Sequence, residues 1–355
     1  MLSLADNPRC PSSLPTVRSR KRNCMSFQAF VLNKVDDQFS AGVCSFEESD
    51  FMPGEVTIKV EWSGVNYKDG LACQPKSSVV RKYPMIPGID LAGTVTESSD
   101  ARFHQGQQVV VIGYDVGVSH FGGYAELARV PANWVCALPA GLTTKEAAAI
   151  GTAGFTAAMS VDAIEKAGLT PQKGPVLVTG ATGGVGSTAV AILAARGYTV
   201  AASTGKADEH DFLRDLGATE ILSREEVSAE STRPMESERW AAAVDPVGGA
   251  TTAYLLRTTK YGGSVALSGL TGGGPVATSV FPFILRGVNL LGIESVSYPI
   301  DLRQKLWGRL AKESDFKPRG LLDTIVHEVG LDGILEATSA ILKGAIKGRV
   351  LIRVS

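Results

Sequence analysis

The stretch Val176-Leu177-Val178-Thr179-Gly180-Ala181-Thr182-Gly183-Gly184-Val185-Gly186-Ser187 decides the reading of this chain. Its opening residues are apolar and mostly β-branched, the pattern of a short strand buried in a parallel sheet. Glycines then recur as G-x-x-G-x-x-G, one residue off the commoner G-x-G-x-x-G, and the alanine-rich run 187–196 has helical character. Strand, glycine turn and helix in that order make a site for a dinucleotide pyrophosphate. Gly180 permits a sharp turn, Gly183 removes the Cβ that would hold an anion off the backbone, and Gly186 lets the helix pack closely. The helix start offers unpaired N–H groups and a positive dipole end. The competing reading is a glycine-rich structural turn in some other α/β protein.

The next strand is read at Tyr198-Thr199-Val200-Ala201-Ala202. Sites for NAD place Asp or Glu at this strand's end, against the ribose 2′-hydroxyl. Here Ser203, Thr204, Gly205 and Lys206 stand there, and the first acids are Asp208 and Glu209. Hydroxyls and an ammonium attract a 2′-phosphate, whereas a carboxylate repels it. The expected cofactor is therefore NADPH. Arg224, after the third-strand run Glu220-Ile221-Leu222-Ser223, is either a second cation for that phosphate or a solvated surface arginine.

Working outward, residues 25–140 read as short strands and turns, with period-two alternation in Glu55-Val56-Thr57-Ile58-Lys59-Val60 after Pro53-Gly54. From Thr144 the texture becomes helical, with two helices read at 145–150 and 155–167, and beyond 176 strands and helices alternate, which predicts a doubly wound parallel sheet. A tail from about 300 carries two helices and a last strand, expected to return to the first domain. The α/β chain of 355 residues is thus divided into 25–150 with 300–355, and 151–299. Residues 1–24 hold five Arg or Lys against one acid; they read as a disordered extension, a transit peptide or a start-site artefact. A cytoplasmic location is expected, or an organellar matrix if that segment is a transit peptide. The formal net charge of −1 argues against nucleic-acid and membrane-surface partners. No stretch is expected to reach the apolar length of a membrane span. Cys10, Cys24, Cys44, Cys73 and Cys136 are scattered, and His104, His120, His210 and His327 show no ligand spacing, so no metal is expected.

These residues resemble the medium-chain dehydrogenase/reductase superfamily, and within it the zinc-independent YhdH/YhfP group that contains the NADPH-dependent acrylyl-CoA reductases. The matching motifs are Asn66-Tyr67-Lys68-Asp69, Pro87-Gly88-Ile89-Asp90, Gly151-Thr152-Ala153-Gly154-Phe155-Thr156-Ala157, Ser203-Thr204-Gly205-Lys206, Asp245-Pro246-Val247-Gly248-Gly249, Pro282-Phe283-Ile284-Leu285-Arg286-Gly287 and Gly348-Arg349-Val350. The resemblance implies a GroES-like β-barrel domain joined to a Rossmann domain. It implies that Tyr67 lies against the nicotinamide. It also implies cofactor contacts at Thr182, Gly183, Gly184 and Val185, at Thr204, Gly205 and Lys206, and at Arg224, Leu270, Ile284 and Ser295. The family often has arginine where Lys206 stands, which keeps the charge but not the bidentate geometry. Its zinc-dependent relatives carry Gly-His-Glu near the place of Pro87-Gly88-Ile89-Asp90, where this chain has no histidine.

Without a Lewis acid, reduction of an activated C=C bond is easier to support than that of a simple ketone. Charge develops on the carbonyl oxygen and must be stabilised, and a proton must reach the α-carbon. Tyr67 is the first candidate for a polar group at this centre, as donor or positioner, followed by Asn66; Asp69 reads better as a loop-holding residue. Arg286, after the buried-looking run Phe283-Ile284-Leu285, reads as structural or interfacial. The expected function is NADPH-dependent reduction of a short enoyl-CoA thioester. The alternatives are an NADPH:quinone oxidoreductase or free-enone reductase, and a non-catalytic NADPH-binding protein. A homodimer is expected through the strand-like Asn289-Leu290-Leu291-Gly292-Ile293.

Overall fold

The structure is a computed structural model that describes residues 26–312 and 326–355. The segment 1–24 lies outside the described residues, as do Cys10 and Cys24. The described residues open on a hairpin, β1 (Ser26–Val35) and β2 (Gln38–Glu47). Its two-residue turn places Asp36 and Asp37 both at positive φ, the backbone whose twist matches that of antiparallel strands.

The first sheet is antiparallel at its centre. β3 (Val56–Gly64), β4 (Asp90–Ser98) and β5 (Gln108–Ile112) pair in sequence, β6 (Leu127–Val130) joins β3, and β7 (Cys136–Ala137) closes on β5. The tail does return here. β14 (Val326–Val329) pairs with β15 (Arg349–Arg353), and β15 pairs with β3. Counting the short strands between, the second sheet runs β10 (Glu220–Ser223), β9 (Val200–Thr204), β8 (Val176–Val178), β11 (Trp240–Asp245), β12 (Thr259–Leu267), β13 (Asn289–Gly292), every pair parallel. The order turns back between β8 and β11, so a crevice opens at their carboxyl ends.

Between the sheets lies a long helical element, α2 (Thr144–Lys166), numbered after the short α1 (Tyr67–Ala72). The two helices read from the sequence are its two halves, broken at Gly151, whose φ of 48° and ψ of −160° are not helical. By length and composition α2 can cross a membrane, which corrects the expectation that no stretch approaches a span. Most of it is buried inside the protein, as in the core helix of a globular fold. It packs with α3 (Gly184–Ala195), and Trp307 of α7 (Ile300–Lys312) enters the same core beside Phe155, Ile112 and Leu351. The proposed division of the chain therefore cuts α2 at its kink, and α7 belongs to the junction: buried Arg303 donates to the carbonyls of both Ile112 and Ser295, at 2.9 Å each.

Candidate active site

At the phosphate turn each glycine has its own reason. Gly180 sits at φ 53°, and a Cβ on Gly186 would stand 2.4 Å from the Gly180 carbonyl oxygen, so both are required by the chain itself. Gly183 differs: a Cβ there would touch nothing closer than 3.4 Å. Its bareness serves the outer side, where an anion would approach the first amides of α3. A Cβ on Gly184 would press within 3.0 Å of both Ala153 Cβ and Arg349 Cδ. Asp245, at the end of β11, is fully used by the fold: it accepts from Thr179 Oγ1, Thr252 Oγ1 and the amides of Val247 and Gly248.

The strand before the cation corner runs two residues further than read. Ser203 and Thr204 lie inside β9, not beyond it. Ser203 is 2% exposed and its hydroxyl donates to the Ser223 carbonyl at 3.3 Å, while its own carbonyl accepts the Ala181 amide. It is thus a sheet residue that stands where the cation corner begins. Thr204 Oγ1 meets Thr182 Oγ1 at 3.2 Å and accepts the Lys206 amide at 3.1 Å, which joins the phosphate turn to the corner. Gly205 is bare because the Arg224 guanidinium covers it; a Cβ would fall 2.8 Å from Nη2. Lys206 Nζ donates to the Ile346 carbonyl at 2.5 Å. Burial pushes its ammonium downward, the charges of Lys347 and Arg224 push the same way, and Glu209 opposes them. Lys347, which sequence reading missed, pairs with Glu209 at 3.0 Å. Three cations thus gather at the end of β9, and the acid among them is already paired. Bare Gly183 together with this corner fits the group that the sequence implies, a dinucleotide bearing a 2′-phosphate.

The second part of the candidate site is built on α1. Asn66 caps the helix, and Asp69 closes a capping box by accepting the Asn66 amide at 2.8 Å. The second oxygen of Asp69 accepts the Ile89 amide at 3.0 Å, so the carboxylate holds two loops, as expected of a loop-holding residue. Burial pushes Asp69 up to about 7, with the Asp90 charge adding to it and the donated hydrogen bonds opposing it. Between the unfolded value near 4 and this value the folded chain holds a proton that the unfolded chain has lost. Asp69 therefore lowers stability as pH rises through that window. Thermal unfolding from pH 5 to pH 8 is expected to show this fall, and a flatter profile in Asp69→Asn; an unchanged slope in the variant would refute the assignment.

Beneath α1 lies a buried ionic network. Arg349 is 2% exposed and Asp90 is fully buried, 3.1 Å apart. Arg349 also donates to the carbonyls of Val65 and Ala149 and to Asn66 Oδ1, each at 2.9–3.0 Å. Asn66 Nδ2 donates to Asp90 at 2.8 Å, and Thr152 gives Asp90 both its amide and its hydroxyl. Room for the pair comes from glycine: a Cβ on Gly64 would meet Arg349 at 2.5 Å, and one on Gly151 would meet Asp90 at 2.4 Å. Both ends of the Asn66 amide are turned inward and held, so this candidate for catalysis is itself a member of the network. Tyr67, the first residue of α1, is half-buried, and its hydroxyl has no hydrogen-bond partner among the described residues. Arg349, Asp90 and Thr152 stood inside motifs quoted from the sequence, yet nothing local marked them as one network.

The remaining expected residues are more dispersed. Ser295 sits beside α2, 3.0 Å from Thr156 Oγ1, and its carbonyl neighbours the first-domain turn at Gly113. Leu270 follows β12 and is 61% exposed; Ile284, on α6 (Phe281–Arg286), is 68% exposed. The run Phe283-Ile284-Leu285 is thus not the buried segment it resembled. Arg286 has the expected structural part, donating to the carbonyls of Arg257 and Glu236. Among the described residues no cluster of three or more His, Cys, Asp or Glu is placed to hold a metal. Burial pushes the Cys73 and Cys136 thiols up to about 12, which leaves them unreactive.

Two family models match: an alcohol dehydrogenase GroES-like domain over residues 52–140, and a zinc-binding dehydrogenase over residues 184–312. The chain is 50% identical over 327 residues to YhfP of Bacillus subtilis, a protein whose name assigns it to the quinone oxidoreductases, and covers 98% of it with 92% of its own length. A crystal structure of that protein with NAD bound superposes at a TM-score of 0.89 over 93% of this chain and 99% of that one. The chain is 49% identical to acrylyl-CoA reductase AcuI of Ruegeria pomeroyi, with 93% of this chain and 99% of that one covered. A YhdH oxidoreductase from Salmonella enterica, solved in complex with NADP, is 48% identical at a TM-score of 0.89, covering 92% and 100%. Barrel, parallel sheet, glycine turn and near full-length likeness agree, and the chain belongs to the medium-chain dehydrogenase/reductases, in their zinc-independent YhdH/YhfP group.

Proposed function

We propose that this chain is an NADPH-dependent reductase of the activated C=C bond of a short enoyl-CoA thioester, of the acrylyl-CoA to propionyl-CoA type. The observation that carries the reading is the 49% identity, over nearly the full length, to acrylyl-CoA reductase AcuI. The cation corner of Lys206 and Arg224 supports NADPH rather than NADH. The YhfP structure holds NAD and the Salmonella enterica YhdH structure holds NADP.

A bound nicotinamide supplies the hydride for the β-carbon of the acceptor. The chain's own residues do the rest. The first amides of α3, bared at Gly183 and Gly184, hold the pyrophosphate, with Val185 and Thr182 beside them. Ser203, Thr204, Gly205, Lys206 and Arg224 would hold the 2′-phosphate end, and Leu270, Ile284 and Ser295 would make the further cofactor contacts that the resemblance implies. Tyr67 presents its free hydroxyl to the carbonyl oxygen of the acceptor, where negative charge grows. Asn66, Asp69, Asp90 and Arg349 fix the helix that carries Tyr67, and so act by position.

The deciding experiment is NADPH oxidation with acrylyl-CoA and, in parallel, with quinones and free enones. Turnover of acrylyl-CoA is expected; turnover of quinones alone would favour the reading that YhfP's name carries. NADPH binding without oxidation of any acceptor would make the chain a binding protein. Tyr67→Phe is expected to lower kcat about tenfold, the loss of one hydrogen bond of about 1.4 kcal/mol in the transition state, with the Kd for NADPH unchanged. An unchanged kcat would leave Tyr67 a mere wall of the cleft.

We also propose a homodimer through the edge of the second sheet. β13 exposes Leu290, and Val280, Phe281, Ile284 and Leu285 shortly before it in the chain are exposed as well. Sedimentation equilibrium is expected to give twice 37.3 kDa; a single species of that mass itself would refute it. A cytoplasmic location is part of the same proposal, tested by fractionation of cells that express the full chain.

A further inference from the structure

We propose that Lys347, on the segment between Ile334–Leu342 and β15, is a third cation for the 2′-phosphate, held in reserve by Glu209. The proposal rests on the NADPH reading above. Lys347 is 141 positions from Lys206 in sequence, yet Lys206 Nζ donates to the carbonyl of the residue just before it, Ile346, at 2.5 Å. On the other side the Gly348 amide donates to the Thr182 carbonyl at 2.9 Å. Residues 346–348 therefore run from the cation corner to the phosphate turn.

The lysine head is poised at that corner. Its Nζ lies 3.0 Å from Glu209 and 5.3 Å from the centre of the Phe212 ring, with the side chain one third exposed. Lys206, Arg224 and Lys347 against Glu209 leave a net charge of +2, the complement of a phosphate monoester carrying about −1.5 to −2 at neutral pH. A partly exposed ion pair contributes little, so the lysine can leave Glu209 at small cost. A phosphate dianion offers it stronger charge-assisted hydrogen bonds. A 2′-hydroxyl offers nothing comparable, and with NADH the lysine stays on Glu209. Glu209 thus neutralises Lys347 until a dianion arrives.

The test is calorimetric titration of the full chain with 2′,5′-ADP and with 5′-ADP, which separates binding from turnover. The wild type is expected to prefer 2′,5′-ADP. Lys347→Gln is expected to weaken 2′,5′-ADP about fivefold to tenfold and 5′-ADP by less than about twofold. Lys347→Arg is expected to restore the preference, and Glu209→Gln to strengthen 2′,5′-ADP selectively, an opposite sign that a structural ion pair would not give. If Lys347→Gln leaves the preference intact while Lys206→Glu abolishes it, the proposal fails and the NADPH reading stands. If the wild type shows no preference for 2′,5′-ADP, both fall together.

Discussion

Arg349→Met is expected to destabilise the protein by about 3–5 kcal/mol, the range for removing one partner of a buried ion pair. The reason is what stays behind. Asp90 is fully buried, and without the guanidinium it keeps only the neutral donors of Asn66 and Thr152. The carbonyls of Val65 and Ala149 lose their donor as well. A surface pair would lose about 1 kcal/mol or less, so the size of the loss separates the two cases. Adding Asp90→Asn to Arg349→Met removes the stranded charge and is expected to return part of the stability, a non-additivity that distant sites do not show. Gly151→Ala attacks the same pocket from the backbone, at φ 48° with its new Cβ 2.4 Å from Asp90 Oδ2. Urea unfolding measures all of these. A loss below about 1 kcal/mol for Arg349→Met, or strict additivity with Asp90→Asn, would mean that the network is not what holds α1.

This network also shows where sequence reading stops. The turn at 180–186, the alternation of strands and helices beyond 176 and the break near 151 were legible, because each is a local pattern of period or glycine. The end of β9 was not. Val200, Ala201 and Ala202 pair with β8, and Ser203 and Thr204 continue on β10 as register partners of Leu222 and Ser223. Polar residues at a strand end look like a loop unless that neighbour is known. The exposed faces of Ile284 and Leu285 misled for the mirror-image reason, since an apolar run carries the same letters at a surface as in a core. Arg349 and Asp90 are 259 positions apart, and Lys347 and Lys206 are 141 apart. Motif letters gave their places but not their neighbours, and the chemistry of a cation depends on its neighbours.

Lys206→Glu is expected to raise the Kd for NADPH about a hundredfold, or about 2.7 kcal/mol, and that for NADH less than about threefold. Two effects add. A charge-assisted hydrogen bond to the 2′-phosphate is lost, and a carboxylate is set beside the dianion in a partly buried corner, where screening is weaker than at the surface. Arg224→Ala is expected to do less, since Arg224 is exposed and its field is screened by salt. Lys206 also ties down the Ile346 carbonyl. Lys206→Met breaks that tie without adding a charge, so the difference between the two variants isolates the repulsion. If the corner reads the phosphate, Lys206→Met lies between wild type and Lys206→Glu for NADPH, and all three bind NADH alike. Equal losses for the two dinucleotides would instead assign Lys206 to the Ile346 tie alone and leave the preference for NADPH without a cause at the end of β9.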